Sequence, residues 1–213
     1  DDVEPGGEGT ELDGRLDRRV SIPRVLEVLA PFVSCRLGFD ERRPYFMFSL
    51  DLDDALVRGE RELDCINVYL GNVGSSVSSG TCYGLTAEGL TLHNLYYFFD
   101  AARQMEDIVA KIACSAHLPL PGLDLDAILW PELRRCPTIV VANKRRNEGV
   151  YFSRIDVDQL LLFLRRLEYP SDLLGFVQAE RSRLDHLLYD VGVDYALGDG
   201  GIRWLKSSFY GVF

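Results

Sequence analysis

Residues 143–161 read NKRRNEGVYFSRIDVDQLL, and residues 39–56, FDERRPYFMFSLDLDDAL, follow the same order of residue types. In each copy a basic, polar stretch leads into a short apolar–polar alternation, then into paired aspartates and a leucine-bearing run. Alternation with a period of two predicts a half-buried strand, and aspartate ahead of a 3.6-residue apolar period predicts a capped helix. A recurring supersecondary unit decides the fold more than any single element does. Extended outward from the second copy, the pattern predicts strands over residues 138–144 and 150–155 around a turn at 145–149. Helices are expected over 156–167 and 172–189, with Pro170 and Ser171 ending the first and starting the second. Strands over 191–197 and 202–212 then flank a turn at 198–201. Around the first copy the same reading predicts a hairpin of residues 34–39 and 45–50 across a turn at 40–44.

The remaining elements follow from local signals. Ser21 reads as the cap of a helix with Pro23 in its first turn and Val25, Leu26 and Leu29 on one face. Residues 64–70 alternate as a strand, and residues 82–86 and 90–97 as a pair around Glu88 and Gly89. Over residues 101–116 a helix is expected with Met105, Ile108, Val109, Ile112 and Ala116 inward and Asp107 paired to Lys111 outward. Residues 118–137 are a proline-rich connector with a helical turn near 126–129. The expected fold class is α+β: antiparallel β-hairpins with helices on one face, closing wholly or partly into an αββα barrel. The expected organisation is a flexible acidic arm over residues 1–18 and a single domain over residues 19–213.

Composition narrows the function classes. The chain has 213 residues and a formal net charge of −10, which argues against sequence-independent nucleic-acid binding. No apolar run approaches the ~20 residues of a membrane-spanning helix. The opening DDVEPGGEG is neither basic nor apolar, so no secretory leader is expected and a cytoplasmic location is. Five scattered cysteines read as reduced core residues. The Gly/Ser-rich segment 71–80, GNVGSSVSSG, lacks the spacing and the lysine of a phosphate-binding loop. Cys114 and His117 supply half of a zinc site; no second half has matching spacing, with Cys136 the one further residue able to approach. His93 is isolated, and His186 is expected on a helix surface. Asp51, Asp53 and Asp54 form a carboxylate cluster, but the matching Asp156 and Asp158 assign the aspartates of both copies to helix starts.

The last strand carries the strongest chemical signal. Strict alternation places Trp204, Lys206, Ser208 and Tyr210 on one face, a lysine and a serine hydroxyl framed by aromatics. The preceding hairpin adds Lys144, Tyr151 and Arg154. Such a ring suits a diphosphate, whose charge needs several fixed donors. Aromatic walls around it can shield a carbocation.

The segment KRRNEGVYFSRIDVDQLLLFLRRLEYPSDLLGF (residues 144–176), with the final hairpin, resembles the bacterial aromatic prenyltransferases built from repeated αββα units. The resemblance covers little more than residues 138–213, and about three and a half units are legible where family members carry five. It implies an antiparallel barrel enclosing an allylic diphosphate and an aromatic acceptor, and transfer of the prenyl group to that acceptor. Lys206, Tyr151 and Tyr210 would hold the diphosphate, with Lys144 and Arg154 as further donors and Trp204 and Ser208 lining the site. No metal site and no cofactor are expected, apart from Mg²⁺ accompanying a diphosphate. The expected partner is a small-molecule substrate, with no nucleic acid and no membrane span. The residues allow an alternative: a non-catalytic ligand-binding or protein-interaction domain, including a subunit of a larger assembly.

Overall fold

A computed structural model describes residues 21–40, 42, 44–72, 77–115, 117, 123–198 and 201–212. The acidic arm, Ala116 and part of the Gly/Ser-rich segment lie outside these residues. Eight strands form one sheet in the linear order β1 to β8, and each pairing described below is antiparallel. The chain divides into two compact units: Asp1–Leu70 with Gly84–Thr91, and Gly71–Tyr83 with Leu92–Phe213.

The first unit is small. Helix α1 (Ile22–Leu29) starts at Ser21, whose hydroxyl accepts from the Arg24 amide, and Pro23 sits in its first turn. Ile22 is buried with Val33, Leu56, Leu63, Ile66 and Val68, while Leu26 and Leu29 pack against them. Strand β1 (Met47–Ser49) pairs with β2 (Ile66–Gly71) through Met47↔Tyr69 and Phe48↔Val68. The expected hairpin of 34–39 with 45–50 does not form. Leu37 and Phe39 instead turn side chains into the small core, Phe39 edge-on to Tyr45 at 5.2 Å, and Cys35 makes one parallel bridge to Leu63. Helix α2 (Asp54–Val57) is capped by Asp53, which accepts from the Leu56 amide at 2.8 Å.

Strands β3 (Ser79–Thr86) and β4 (Gly89–Asp100) are longer than their alternation suggested. Helix α3 (Met105–Ala113) buries Ile108 and Ile112, and Lys111 lies over the Tyr97 ring at 3.9 Å rather than beside Asp107. A short helix, α4 (Leu125–Ile128), leads through the buried Trp130 and Leu133 to β5 (Thr138–Lys144). Strand β6 (Glu148–Ile155) pairs with β5 and begins inside the expected turn. Helix α5 (Val157–Arg166) starts with a full capping box, in which Asp156 accepts from the Gln159 amide and Gln159 reaches back. This reciprocal arrangement satisfies two otherwise orphaned amides.

The expected helix over 172–189 is interrupted. It divides into α6 (Ser171–Ala179) and α7 (Arg181–Leu184), and Arg181 grips Asp158 at 2.7 and 2.6 Å. His186 therefore lies in a turn, not on a helix. Strand β7 (Leu188–Gly198) opens earlier than expected because Tyr189 alternates into the core, opposite Ile155. Strand β8 (Gly201–Val212) pairs with β7 along nearly its whole length.

In the second unit one face of the sheet is dry. Ile139, Val141, Val150, Phe152, Val191, Val193 and Tyr195 bury against α3, α5, α6 and the 128–133 segment. Helices on one face of antiparallel hairpins are thus present in this unit. The opposite face carries the candidate chemistry.

Candidate functional site

Alternation along four strands sets what the far face displays. Val140, Ala142 and Lys144 come from β5; Gly149, Tyr151 and Ser153 from β6. Their cross-strand neighbours are Asp190, Gly192 and Asp194 from β7, then Tyr210, Ser208 and Lys206 from β8. Tyr96 of β4 joins this face opposite Ala142.

The centre is an ion pair. Lys144 Nζ lies 2.6 and 2.7 Å from the two oxygens of Asp194 and donates to the Tyr151 hydroxyl at 2.9 Å. Tyr151 in turn donates to Asp194 Oδ1 at 3.2 Å. The Lys144 and Asp194 side chains are 14% and 13% exposed, so solvent screens the pair weakly. Burial, then the Asp194 charge, pushes the Tyr151 phenol far above its ordinary range, and it stays protonated as a donor. Two glycines permit this packing. A Cβ on Gly192 would stand 2.0 Å from Tyr151 Cδ1, and one on Gly149 would stand 2.9 Å from Asp194 Oδ1. The Tyr96 ring lies 6.1 Å from Tyr151.

A second carboxylate, Asp190, accepts from Ser153 Oγ at 2.7 Å and from the Arg154 amide at 2.8 Å. This contact sits at an irregularity of β6 between Phe152 and Ile155, where Arg154 takes φ +59°. The bulge moves Arg154 out of the alternation and leaves its side chain exposed.

A second bulge changes the predicted ring. Asp194 faces Lys206, but the next pair is Tyr195 with Trp204, so Leu205 is an extra residue. An inserted residue reverses the facing of everything before it. Trp204 therefore turns to the dry side, edge-on to Trp130 at 5.9 Å and to Tyr195 at 6.2 Å. Lys206, Ser208 and Tyr210 stay on the far face, with Tyr210 57% exposed and Lys206 open to solvent. Five of the seven predicted residues share one face: Lys144, Tyr151, Lys206, Ser208 and Tyr210. Trp204 belongs to the core, and Arg154 to the bulge.

Sequence reasoning passed over Asp190 and Asp194. Their signal was available, since DVGVD at 190–194 alternates polar or small with valine. The consequence is electrostatic. Lys144 and Lys206 are matched by Asp190 and Asp194, so these four charges sum to zero.

On the dry side, Glu148 is 2% exposed. It accepts from Ser115 Oγ and, at 2.7 Å, from Asn143 Nδ2. The opposing Tyr195 hydroxyl is buried and has no hydrogen-bond partner among the described residues. His117 Nε2 hydrogen-bonds the Lys144 carbonyl at 3.0 Å, and Cys114 is exposed rather than in the core. Burial raises the Cys136 thiol to about 11, which keeps it protonated. Among the described residues no group of three or more His, Cys, Asp or Glu is placed to hold a metal ion, and no helix is long and apolar enough to cross a membrane.

Compared with protein families, with curated proteins and with solved structures, the chain matches none.

Proposed function

We propose that the protein is a binding domain that takes an uncharged aromatic small molecule against the far face of β5–β8. One observation carries this reading: the Lys144 ammonium is already compensated by both oxygens of Asp194 and by Tyr151. A buried cation so satisfied has little left to offer an incoming anion, and a diphosphate would also meet the Asp194 and Asp190 charges. Tyrosines suit the role instead, presenting large rings with a polar edge. Tyr151 and Tyr96 supply the inner wall, Tyr210 the exposed one, and Ser208 with Ser153 a polar floor. Five unpaired cysteines favour a cytoplasmic setting.

The second reading is prenyl transfer from an allylic diphosphate to an aromatic acceptor, in keeping with the resemblance of residues 144–176. Its support is the shared face of Tyr151, Lys206, Ser208 and Tyr210. It requires Lys206 to serve as the free cation, Mg²⁺ to enter with the diphosphate, and the sheet to close into a barrel.

Calorimetry separates the two. A panel of phenols and indoles should bind wild-type protein and bind Tyr210→Ala at least fivefold more weakly, while geranyl and dimethylallyl diphosphates should give no heat. Turnover of a diphosphate with any of the same phenols or indoles would replace the first reading with the second. Absence of heat from every aromatic, with no turnover, would remove both.

A further inference from the structure

We propose that the end of the sheet where the 145–147 turn lies near Arg203 and Lys206 of β8 is a docking surface for a short acidic peptide segment of a partner protein. Four cations lie toward that end. Arg145 and Arg146 are exposed in the turn between β5 and β6, and Arg203 and Lys206 are exposed on β8. The Leu205 bulge is what aligns the last two. Lys206 faces Asp194, and Arg203 faces Ala196 two residues further along the same side of β7. Without the extra residue, Arg203 would point into the dry core. Among the described residues none of the four has an ion-pair partner, whereas most described arginines do. The nearby carboxylates are engaged: Asp194 holds Lys144, and Glu148 is buried under Ser115 and Asn143. Asp199 lies outside the described residues.

The spacing selects the partner. Neighbouring strands stand about 4.8 Å apart, so β6 and β8 are separated by roughly 10 Å. One phosphate or carboxylate cannot span that gap, whereas carboxylates along an extended peptide, at about 3.3 Å per residue, match it. Arginine forks suit carboxylates in bidentate pairs. The net charge of −10 repels a long polyanion from the rest of the surface and favours a short segment. Residues 1–14 are of this chemistry, with six carboxylates and no lysine or arginine, and give a defined probe. The surface shares Lys206 with the ligand face but none of its tyrosines.

The test is fluorescence anisotropy of the labelled peptide DDVEPGGEGTELDG with full-chain protein at low and high salt. The same peptide with its six acids as amides is the control. The expected result is binding that weakens at least tenfold from 20 to 300 mM salt, falls at least tenfold in R145E/R146E and in R203E, and is unchanged in R165E. Circular dichroism melts of each variant show whether it folds, and Arg203→Gln stands in if R203E does not. Binding that survives in R145E/R146E, no binding by the wild type, or equal binding of the amide peptide overturns the proposal. Tighter binding of an oligothymidylate with the same arginine dependence overturns it in favour of nucleic acid. Because these variants spare Tyr96, Tyr151 and Tyr210, loss of peptide binding is distinguishable from loss of aromatic binding.

Discussion

Two stretches with one sequence pattern take different weights in this molecule. Residues 39–56 and 143–161 both run strand, aspartate cap, helix, and both aspartates cap as their spacing implies. The earlier copy yields a three-residue strand and a four-residue helix, with Phe46 and Met47 about half exposed. The later yields an eight-residue strand, paired on both sides, and a ten-residue helix with five buried residues. A cap is a local interaction, satisfied within one turn, so a local pattern specifies it in either setting. Strand length and burial depend on what pairs alongside. Among the described residues the later copy has β5 and β7 as neighbours, and the earlier has β2 alone. Only the later copy also meets Asp194 and so acquires the Lys144–Tyr151 site.

The largest expected difference lies in the cores. Phe152→Ala removes a buried ring and should cost about 3–5 kcal/mol. The corresponding Phe48→Ala removes a partly exposed one, for about 1–2 kcal/mol. Urea unfolding of both reads this directly, and equal losses would mean the two copies are packed alike. Next comes the ion pair. Asp194→Ala leaves Lys144 uncompensated in a mostly buried place and should cost about 3 kcal/mol, most of it recovered in the double variant Lys144→Met/Asp194→Leu. In the earlier copy Arg61→Ala, which removes the exposed partner of Asp53, should lower stability at neutral pH only slightly. A double variant no more stable than Asp194→Ala would show that the face depends on its charges rather than on their mutual neutralisation.

Smaller effects follow at glycine. Gly192→Ala puts a methyl into the Tyr151 ring, and the overpacking should cost about 1–3 kcal/mol. Gly175→Ala, with open space around it on α6, should stabilise by about 0.5–1 kcal/mol. Thermal unfolding of the two should shift in opposite directions. The smallest effect concerns acid. Hydrogen bonds from Arg61 and Arg181 hold the Asp53 and Asp158 carboxyls below their ordinary range. A depressed folded pKa contributes stability above the unfolded value and loses it as pH falls through the folded one. Acid unfolding midpoints of Arg61→Ala and Arg181→Ala should therefore rise slightly, and added salt should erase the difference. A fall in either midpoint would contradict the assignment.

Much of the second unit was legible in residue order. Strands β5 to β8, the capping box at Asp156 and the inward face of α3 all follow from period and cap chemistry. The far face was partly legible: Lys144 with Tyr151, and Lys206 with Ser208 and Tyr210, kept the alternation that β-strands impose. Trp204 was misplaced because one residue, Leu205, bulges out of register, and nothing in RWLKSS marks the insertion. Arg154 departed for the same reason. The first hairpin failed because Leu37 and Phe39 found a core before a ladder. Asp194 was visible in DVGVD, but its partner lies 50 residues away, and only the fold brings the two within 3 Å.

The proposed ligand site is the far face of β5–β8, with the neutralised Lys144 at its heart. Amide chemical-shift perturbation on titrating a simple phenol tests it most directly. Shifts are expected to be confined to residues flanking Tyr96, Tyr151, Gly192 and Tyr210, and to be lost in Gly192→Val. Shifts centred instead on the polar cleft of Pro131, Glu132, Arg135, Asp156 and Gln159, or none at any concentration, would contradict it.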